Sequence, residues 1–181
     1  MSKTDKKTAS HEILINKAGH SHYDKADSIE NLIRYISREN GKSKNDLVCC
    51  GAFGATDFTD IGTTAMQFKC TQLLHTRKGN FGRYIDHEIY SFSTDEEKMI
   101  VQNNISVEKL AEEMASDFYR DGFQVYYGIH KKDECTNNLH IHFAINTVNF
   151  HTGNKRREYK SATKKREQRF RCIVDKALRK Y

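Results

Sequence analysis

Several features are scarce or absent in this sequence, and each absence narrows what it can be. No run of about 18 apolar residues exists to cross a bilayer, and the polar start of the chain leads into no apolar signal segment. We therefore expect neither membrane insertion nor secretion by that route. Five cysteines occur without any C-x-x-C spacing, which disfavours a disulfide framework and a cysteine zinc site and favours a reducing cytoplasm. Proline is absent, and we find no internal repeat.

The length and the charge distribution bound the organisation. A chain of 181 residues has room for one well-buried domain, so we expect residues 1–181 to form a single domain. Residues 154–181 hold twelve Lys and Arg against three acidic residues, whereas the net charge of the whole chain is +6. This basic segment is either a solvated helix or a surface that neutralises nucleic-acid phosphates. Because the chain stops inside that pattern, we expect a longer protein that continues past it.

Hydrophobic periodicity predicts a mixed α/β chain. Alternation and β-branched or aromatic composition predict strands over residues 10–15, 83–93, 123–130 and 139–149. Helical spacing of apolar residues predicts three helices, one from an N-cap at Ser28 to about residue 40, one over residues 60–76, and one from an N-cap at Ser106 to a stop at Gly122. We expect the middle helix to bury Ile61, Ala65, Phe68 and Leu73. The elements predict an α/β sandwich whose last two strands form an antiparallel hairpin.

The hairpin carries two histidines with strand spacing. Alternation places His140, His142, Ala144 and Asn146 on one face and the apolar residues between them on the other. Residues two apart on a strand lie about 7 Å apart, so both imidazoles can approach one cation. His130 ends the preceding strand and would lie beside His140 if the hairpin closes. Three histidines would then bind one side of a divalent ion and leave positions open for substrate.

The same pattern has a plain interpretation, since H-x-H pairs in strands are often solvent-facing residues without ligands. The second H-x-H, His20-Ser21-His22, has no apolar alternation and is expected in a loop. His75, His87 and His151 are expected to be ordinary polar or core histidines, although His87 could line the same site. Asp133 and Asn146 are candidates to orient the imidazoles.

These residues resemble a known family. The run His130-Lys131-Lys132-Asp133, with the stretch from Asn138 to Asn149 and then Thr152-Gly153, is similar to the three-histidine motif of plasmid mobilisation relaxases, most closely the MOBP class of the HUH endonuclease superfamily. Residues 32–37 and 88–93 are similar to that family's nucleophile helix and middle strand. The loop between His130 and His140 is longer than the family's usual pattern. The resemblance implies a central antiparallel sheet flanked by helices, and a tyrosine that attacks a phosphate at an origin of transfer.

The resemblance assigns Tyr35 as the nucleophile, with Tyr23 second. Helical geometry places Tyr35 about 110° from the centre of the apolar stripe of its helix, where its ring can pack while its oxygen reaches a cleft. The product would be a 5′-phosphotyrosyl link and a free 3′-hydroxyl. Asp86, Glu88 or Asp133 could activate the phenol, and our catalytic set is Tyr35, Asp133 and Glu88.

The remaining expectations concern the metal, the DNA and partners. We expect Mn²⁺ or Mg²⁺ on His130, His140 and His142, where it would stabilise charge on the phosphate. Single-stranded DNA at the origin of transfer is the expected substrate, with accessory relaxosome proteins and a coupling protein as partners and a monomer as the default state. The expected DNA contacts are Arg34, Arg38, Ser91, Asn146, Lys155, Arg156 and Arg157.

Three other functions fit parts of the pattern. A rolling-circle replication initiator shares H-x-H and tyrosine chemistry, but its tyrosine usually follows the histidines, whereas Tyr35 precedes them. A non-catalytic module could bind single-stranded nucleic acid through its basic tail and aromatic residues. A hydrolytic metalloenzyme would use water and make Tyr35 irrelevant.

Overall fold

The structure is a computed structural model that describes residues 13–15, 23–39, 44–75, 82–131, 139–157 and 159–179. Within these ranges there are five strands and five α-helices. The strands are β1 Ile13–Ile15, β2 Leu47–Phe53, β3 Ile85–Ser91, β4 Val125–His130 and β5 His140–Asn146. The helices are α1 Ser28–Ile36, α2 Ile61–His75, α3 Thr94–Gln102, α4 Val107–Arg120 and α5 Lys160–Leu178. A single 3-10 turn, Lys44–Asp46, precedes β2.

The strands form one antiparallel sheet in the order β1-β3-β5-β4-β2. The predicted hairpin between β4 and β5 is confirmed, and its register pairs His130 with His140 and Gly128 with His142. The edge strand β2 was not predicted, because the run Leu-Val-Cys-Cys-Gly-Ala-Phe has no clean alternation and contains a glycine.

Helices cover both faces of the sheet and give it two apolar cores. Ala144 of β5 packs with α1 and α2, whereas its neighbour Phe143 packs with α4 and α5. We call these the α1/α2 face and the α4/α5 face. The predicted α/β sandwich is therefore confirmed, with an apolar layer against each side of the central strands. The basic C-terminal segment forms α5 and lies on the α4/α5 face through Phe170 and Val174.

Two helix details differ from the predictions. Ser28 is the first residue of α1, and Asp27 before it makes no side-chain cap hydrogen bond, so Ser28 is not the N-cap. Leu73 of α2 is 72% exposed, whereas Gln72 is buried. At 100° per residue, Gln72 lies about 40° from the buried Phe68, and Leu73 lies about 140° from it. The predicted burial of Ile61, Ala65 and Phe68 is confirmed.

The ends of α4 follow the sequence signals. The Ser106 hydroxyl accepts a hydrogen bond from the backbone N–H of Lys109, as an N-cap does. Gly122 follows the helix with a φ of +90°, in the left-handed region that favours glycine after a helix. Both predicted ends of α4 are therefore confirmed.

Among the described residues, none of the helices combines the length and apolar character that a bilayer crossing requires.

Candidate active site

Three histidines meet at the end of the central hairpin. His130 is the last residue of β4, and His140 and His142 are the first and third residues of β5. One ring nitrogen from each lies within 4.8 Å of those of the other two. His130 and His142 are buried and His140 is half-buried. The group could hold a metal ion, since three imidazole nitrogens at this spacing are a common ligand set for first-row divalent ions.

The hydrogen bonds of the two buried histidines identify which nitrogens are available. Nε2 of His130 donates to the backbone carbonyl of Ile36 at 2.7 Å, because a carbonyl can only accept. Its Nδ1 then carries a lone pair. Nδ1 of His142 lies 2.9 Å from Nε2 of His87. Within the described ranges, Nδ1 of His130 and Nε2 of His142 are buried without a hydrogen-bond partner. Such orphaned acceptors are costly to bury, and their donor chemistry fits a divalent metal.

Burial keeps these imidazoles neutral. Desolvation lowers the pKa of His130 to about 4, opposed by its hydrogen bond to the Ile36 carbonyl. Desolvation, helped by the nearby His130, also lowers the pKa of His87 to about 4. The pKa of His142 falls far below its ordinary value, first through desolvation and then through the three neighbouring histidines. At neutral pH the three rings are therefore neutral, and those of His130 and His142 each keep a lone pair that can bind a metal.

Tyr35 lies directly over this cluster. Its ring centroid is 5.6 Å from that of His142 and 6.5 Å from that of His130, both in edge-on contact. The side chain is 47% exposed, so the ring packs on the histidines while the phenol remains accessible. The guanidinium of Arg38 lies 5.3 Å from the centre of the Tyr35 ring, and Arg38 has a φ of 60° that turns the chain sharply after α1. Helix α1 thus brings a tyrosine to the histidine cluster, and the turn after it places an arginine over that tyrosine.

The end of α1 sits close against β4 because Gly128 has no side chain. A Cβ at Gly128 would lie 2.6 Å from Cγ2 of Ile36 and 3.0 Å from its carbonyl oxygen. The same carbonyl accepts the hydrogen bond from His130. One peptide next to Tyr35 therefore contacts both the strand and a histidine of the cluster.

His87 is a fourth histidine at the site, and the sequence predicted it only as an option. Its register partner on β5 is Ala144, so it points to the same face as His142. Nδ1 of His87 lies 3.2 Å from the hydroxyl of Tyr23, and Tyr35 packs edge-on against its ring at 6.1 Å. The signal was the alternation of β3, in which Ile85, His87 and Ile89 share one face.

Comparison with known protein families decides the assignment. The family model described as "Relaxase: MobA/VirD2-like, nuclease domain" matches residues 35–181, which is most of the chain. The chain belongs to the MobA/VirD2-like relaxase family. A search of the curated proteins returns no match. As a relaxase nuclease domain of the HUH superfamily, the chain is an endonuclease that binds DNA.

The relaxase does not bring Glu88 to the histidines, contrary to the sequence prediction. Glu88 is paired with Phe143 in the sheet register, so its side chain enters the α4/α5 face. There it is buried and accepts hydrogen bonds from the guanidinium groups of Arg156 at 2.5 Å and Arg166 at 3.3 Å. Asp86 lies on the same face and accepts from Arg156 at 2.6 Å. Neither carboxylate can reach Tyr35 through the sheet, and Arg156 is a buried ion-pair partner rather than a DNA contact.

Asn146 is also a structural residue in this relaxase. Its side chain is 0% exposed. Its amide accepts from Gln72 at 2.8 Å and donates to the Phe68 carbonyl at 3.0 Å and to Gln124 at 2.7 Å. The amide is thus engaged by α2, by the residue before β4 and by the backbone N–H of Val148, and none of its hydrogen bonds among the described residues is to an imidazole.

The other predicted residues have different positions in the structure. Asp133, His20 and His22 lie outside the described residues. Ser91 pairs with His140 in the register and shares its face. Arg34 pairs with Glu30 and Glu39 on the surface of α1. Lys155 is half-buried and Arg157 exposed.

Two further histidines are remote from the cluster, as the sequence predicted. Nε2 of His75 lies 3.2 Å from the Phe150 carbonyl, and the exposed His151 packs beside the Phe150 ring with a centroid distance of 4.3 Å.

Proposed function

We propose that this relaxase nicks single-stranded DNA at an origin of transfer by transesterification, with Tyr35 as the nucleophile. The observation that carries the proposal is the half-exposed Tyr35 ring, packed edge-on over His87, His130 and His142. A nucleophile must be accessible to the substrate and held next to the groups that stabilise the reacting phosphate. Among the described tyrosines, Tyr35 combines this exposure with ring contacts to three histidines of the site.

His130, His140 and His142 are the residues that would hold a divalent ion, Mn²⁺ or Mg²⁺. The support is the pair of buried ring nitrogens without hydrogen-bond partners within the described residues. When bound, the ion supplies positive charge to the non-bridging phosphate oxygens. The residues themselves contribute neutral lone pairs, and the hydrogen bond from His130 to the Ile36 carbonyl fixes the orientation of that ring.

The chemical step exchanges one phosphodiester for another. The bond between the Tyr35 oxygen and phosphorus forms, and the bond between phosphorus and the 3′-oxygen breaks. The phenol proton passes to solvent, and the 3′-oxygen leaves as a hydroxyl after gaining a proton. Because the 5′-phosphotyrosyl link retains the energy of the broken bond, attack by the 3′-hydroxyl reseals the strand. Asp86 and Glu88 take no part, since they lie on the other face of the sheet.

Arg38 is the DNA contact that the geometry supports best. It lies over the Tyr35 ring, and its weak partner Asp46 is 3.9 Å away, so its guanidinium can bind a phosphate beside the scissile bond. We propose Arg34, Ser91, Lys155 and Arg157 as further contacts around the site. The exposed Lys and Arg side chains of α5 belong to the α4/α5 face, whereas the histidine cluster lies on the α1/α2 face. They would contact only DNA that extends around the sheet from one face to the other.

The biological setting follows from the family and is likewise a proposal. We place the chain in the MOBP-like class, acting in a bacterial cytoplasm at a plasmid or integrative-element origin, with accessory relaxosome proteins and a coupling protein. Residues 1–181 would form a single catalytic domain. It would act as a monomer on its DNA.

The test is formation of a covalent adduct. Labelled single strands that tile the DNA flanking the gene are incubated with the protein and Mn²⁺, and the products are resolved under denaturing conditions. We expect one strand to give an adduct that resists denaturation and whose peptide carries nucleotide on Tyr35. Tyr35→Phe should abolish the adduct, whereas Tyr159→Phe, at an exposed tyrosine, should leave it unchanged. Cleavage without an adduct would contradict transesterification, and binding without cleavage would contradict the enzyme.

A further inference from the structure

A chain of two hydrogen bonds leads away from the histidine cluster. Nδ1 of His142 lies 2.9 Å from Nε2 of His87, and Nδ1 of His87 lies 3.2 Å from the hydroxyl of Tyr23. The two imidazoles stack with centroids 5.1 Å apart and an interplanar angle of 22°. His87 is buried, so its ring nitrogens depend on these protein partners. In the sheet register His87 pairs with Ala144, the second residue after His142 on β5, so the two histidines lie on one face of the sheet.

Counting donors and acceptors shows which atom donates in each of these two hydrogen bonds. A neutral imidazole has one N–H and one lone pair, so one of two ring nitrogens 2.9 Å apart must donate and the other accept. Nε2 of His142 is the buried nitrogen that has no hydrogen-bond partner among the described residues and belongs to the cluster. If Nε2 carries the lone pair, Nδ1 carries the proton and donates to His87. His87 then carries its own proton on Nδ1 and donates to the Tyr23 oxygen.

The two buried ligands are therefore held by different kinds of partner. The ring of His130 faces a backbone carbonyl, which can only accept. His142 faces another imidazole, which can accept or donate. In the reversed arrangement, His142 would direct an N–H into the cluster and lose its ability to bind a cation there. The tautomer of His142 thus depends on His87, and that of His87 on Tyr23.

We propose that His87 is a positioning residue of the metal centre. It accepts the Nδ1 proton of His142, with Tyr23 as the acceptor that anchors it, and so presents Nε2 of His142 to a divalent cation. The inference rests on the proposed metal site. His87 is not itself a ligand, because its Nε2 is engaged by His142 and its Nδ1 by Tyr23, and the converging nitrogens belong to the other three histidines.

The first experiment compares two substitutions by direct Mn²⁺ binding, measured by calorimetry or by the paramagnetic resonance signal of free Mn²⁺. His87→Leu removes the acceptor, and we expect Mn²⁺ affinity to fall about 10- to 100-fold, as loss of a ligand's hydrogen-bond partner typically does. In His87→Gln, the side-chain oxygen can occupy the place of Nε2 and accept from His142. We expect that variant to bind within a few-fold of the wild-type protein.

The second measurement reads the tautomer directly. In the metal-free protein, imidazole ¹⁵N chemical shifts should show His142 protonated at Nδ1 in the wild type and in His87→Gln, and a mixture of tautomers in His87→Leu. Tyr23→Phe should shift His87 toward a mixture of tautomers and lower Mn²⁺ affinity by less than His87→Leu does. Circular dichroism and thermal unfolding confirm that each variant is folded. If His87→Leu does not fold, the positioning role is tested by Tyr23→Phe, in which the His87 tautomer and Mn²⁺ affinity should change, and by His87→Gln, in which Mn²⁺ affinity should be kept.

The outcomes separate this inference from the proposed function. Unchanged Mn²⁺ affinity and an unchanged His142 tautomer in folded His87→Leu would overturn the positioning role and leave the nuclease proposal intact. Equal losses in folded His87→Gln and His87→Leu would overturn it too, because hydrogen-bond acceptance would not matter. A wild-type protein that binds no Mn²⁺ would overturn the metal site and this inference together. An adduct lost in Tyr35→Phe, with the His87 effects present, supports both.

Discussion

His87 and Glu88 are adjacent on β3, yet their side chains enter opposite faces of the sheet and meet different chemistry. On the α1/α2 face, His87 joins a histidine cluster in which Nδ1 of His130 and Nε2 of His142 have no hydrogen-bond partner within the described ranges. On the α4/α5 face, Glu88 is bonded to Arg156 and Arg166. The fold therefore supplies Glu88 with its partners, whereas it leaves these two imidazole nitrogens available to a ligand.

The buried ion pairs on the α4/α5 face join residues that are far apart in the sequence. Arg156 follows β5 and reaches both Asp86 and Glu88 on β3, and Arg166 brings α5 to the same carboxylate. Both guanidinium groups also lie over the ring of Phe118, at 5.6 and 5.0 Å from its centre. Removal of one partner from such a group leaves a buried charge without compensation. The largest effect on stability is therefore expected here.

Arg156→Met should lower the free energy of unfolding by about 3 kcal/mol, the lower end for breaking a buried ion pair, because Arg166 still serves Glu88 and Arg83 still serves Asp86. Urea unfolding measures the change. The exposed neighbour provides the control, since Arg157→Met should cost less than about 0.5 kcal/mol. Mn²⁺ affinity of folded Arg156→Met should stay near the wild-type value. A large loss of Mn²⁺ affinity would show that the two faces are not independent.

Addition of Mn²⁺ should have the next largest effect on the free energy of unfolding, through the histidine cluster on the α1/α2 face. Free Mn²⁺ at 100 times its dissociation constant should raise the free energy of unfolding by about 2.7 kcal/mol, if it binds only the folded state. A chelator should reverse the gain. In His142→Ala the same Mn²⁺ concentration should give little stabilisation, while His75→Ala, remote from the cluster, should respond as the wild type does. Equal stabilisation of His142→Ala would contradict a metal site on the three histidines.

Gln72 and Leu73 are adjacent on α2, and substitutions at these two positions should differ by a smaller amount in their effect on stability. Gln72→Leu removes the donor to Asn146 and to the Tyr84 carbonyl, and we expect a loss of about 1 to 2 kcal/mol from the acceptors left buried. Leu73→Ser, at an exposed position, should change stability by less than about 0.5 kcal/mol. Thermal and urea unfolding of the two variants test the difference. Equal effects would mean that the Asn146 network contributes little to stability.

The rate at which cysteine thiols are alkylated reports on burial without a substitution, and β2 has one cysteine toward each face of the sheet. Cys49 packs on the α4/α5 side and Cys50 on the α1/α2 side. Burial, with Glu108 and Cys50 nearby, raises the pKa of the Cys49 thiol from its ordinary 9.0 to about 11, which lowers its thiolate fraction about 100-fold at a given pH below 9. In iodoacetamide labelling at pH 8, followed by mass spectrometry, Cys49 should react far more slowly than the exposed Cys70. Labelling of Cys49 at the rate of Cys70 would contradict its burial.

Local patterns were sufficient to predict the hairpin and the meeting of the three histidines. Alternation fixes which residues of β4 and β5 share a face, and consecutive strands commonly pair as a hairpin, so His130, His140 and His142 could be placed together from sequence. The helices α1 and α4 were predicted because their apolar stripes are complete. Strand β2 and helix α3 have weaker patterns and were not predicted.

The residues that sequence placed wrongly are polar ones whose partners lie far along the chain. Glu88 and Arg156 are 68 residues apart and Asn146 and Gln72 are 74 apart, so no local pattern reveals that each is buried against the other. A charged or amide side chain taken alone favours the surface or a site. For Glu88 a signal did exist, because alternation in β3 already separates it from His87. Applied to β3 as it was to β5, that rule would have excluded Glu88 from the histidine site.

The contact between Gly128 and Ile36 has a consequence for how such a nuclease can diversify. The gap between the tyrosine and the histidine cluster is set by one helix end resting on one strand, with the Ile36 carbonyl bonded to His130. That distance is therefore set by contacts between a helix and a strand of the fold. If Tyr35 is the nucleophile, as proposed above, nicking and resealing need the same spacing, and this contact maintains it for both reactions. Recognition can then change at the periphery while the reacting atoms keep their separation.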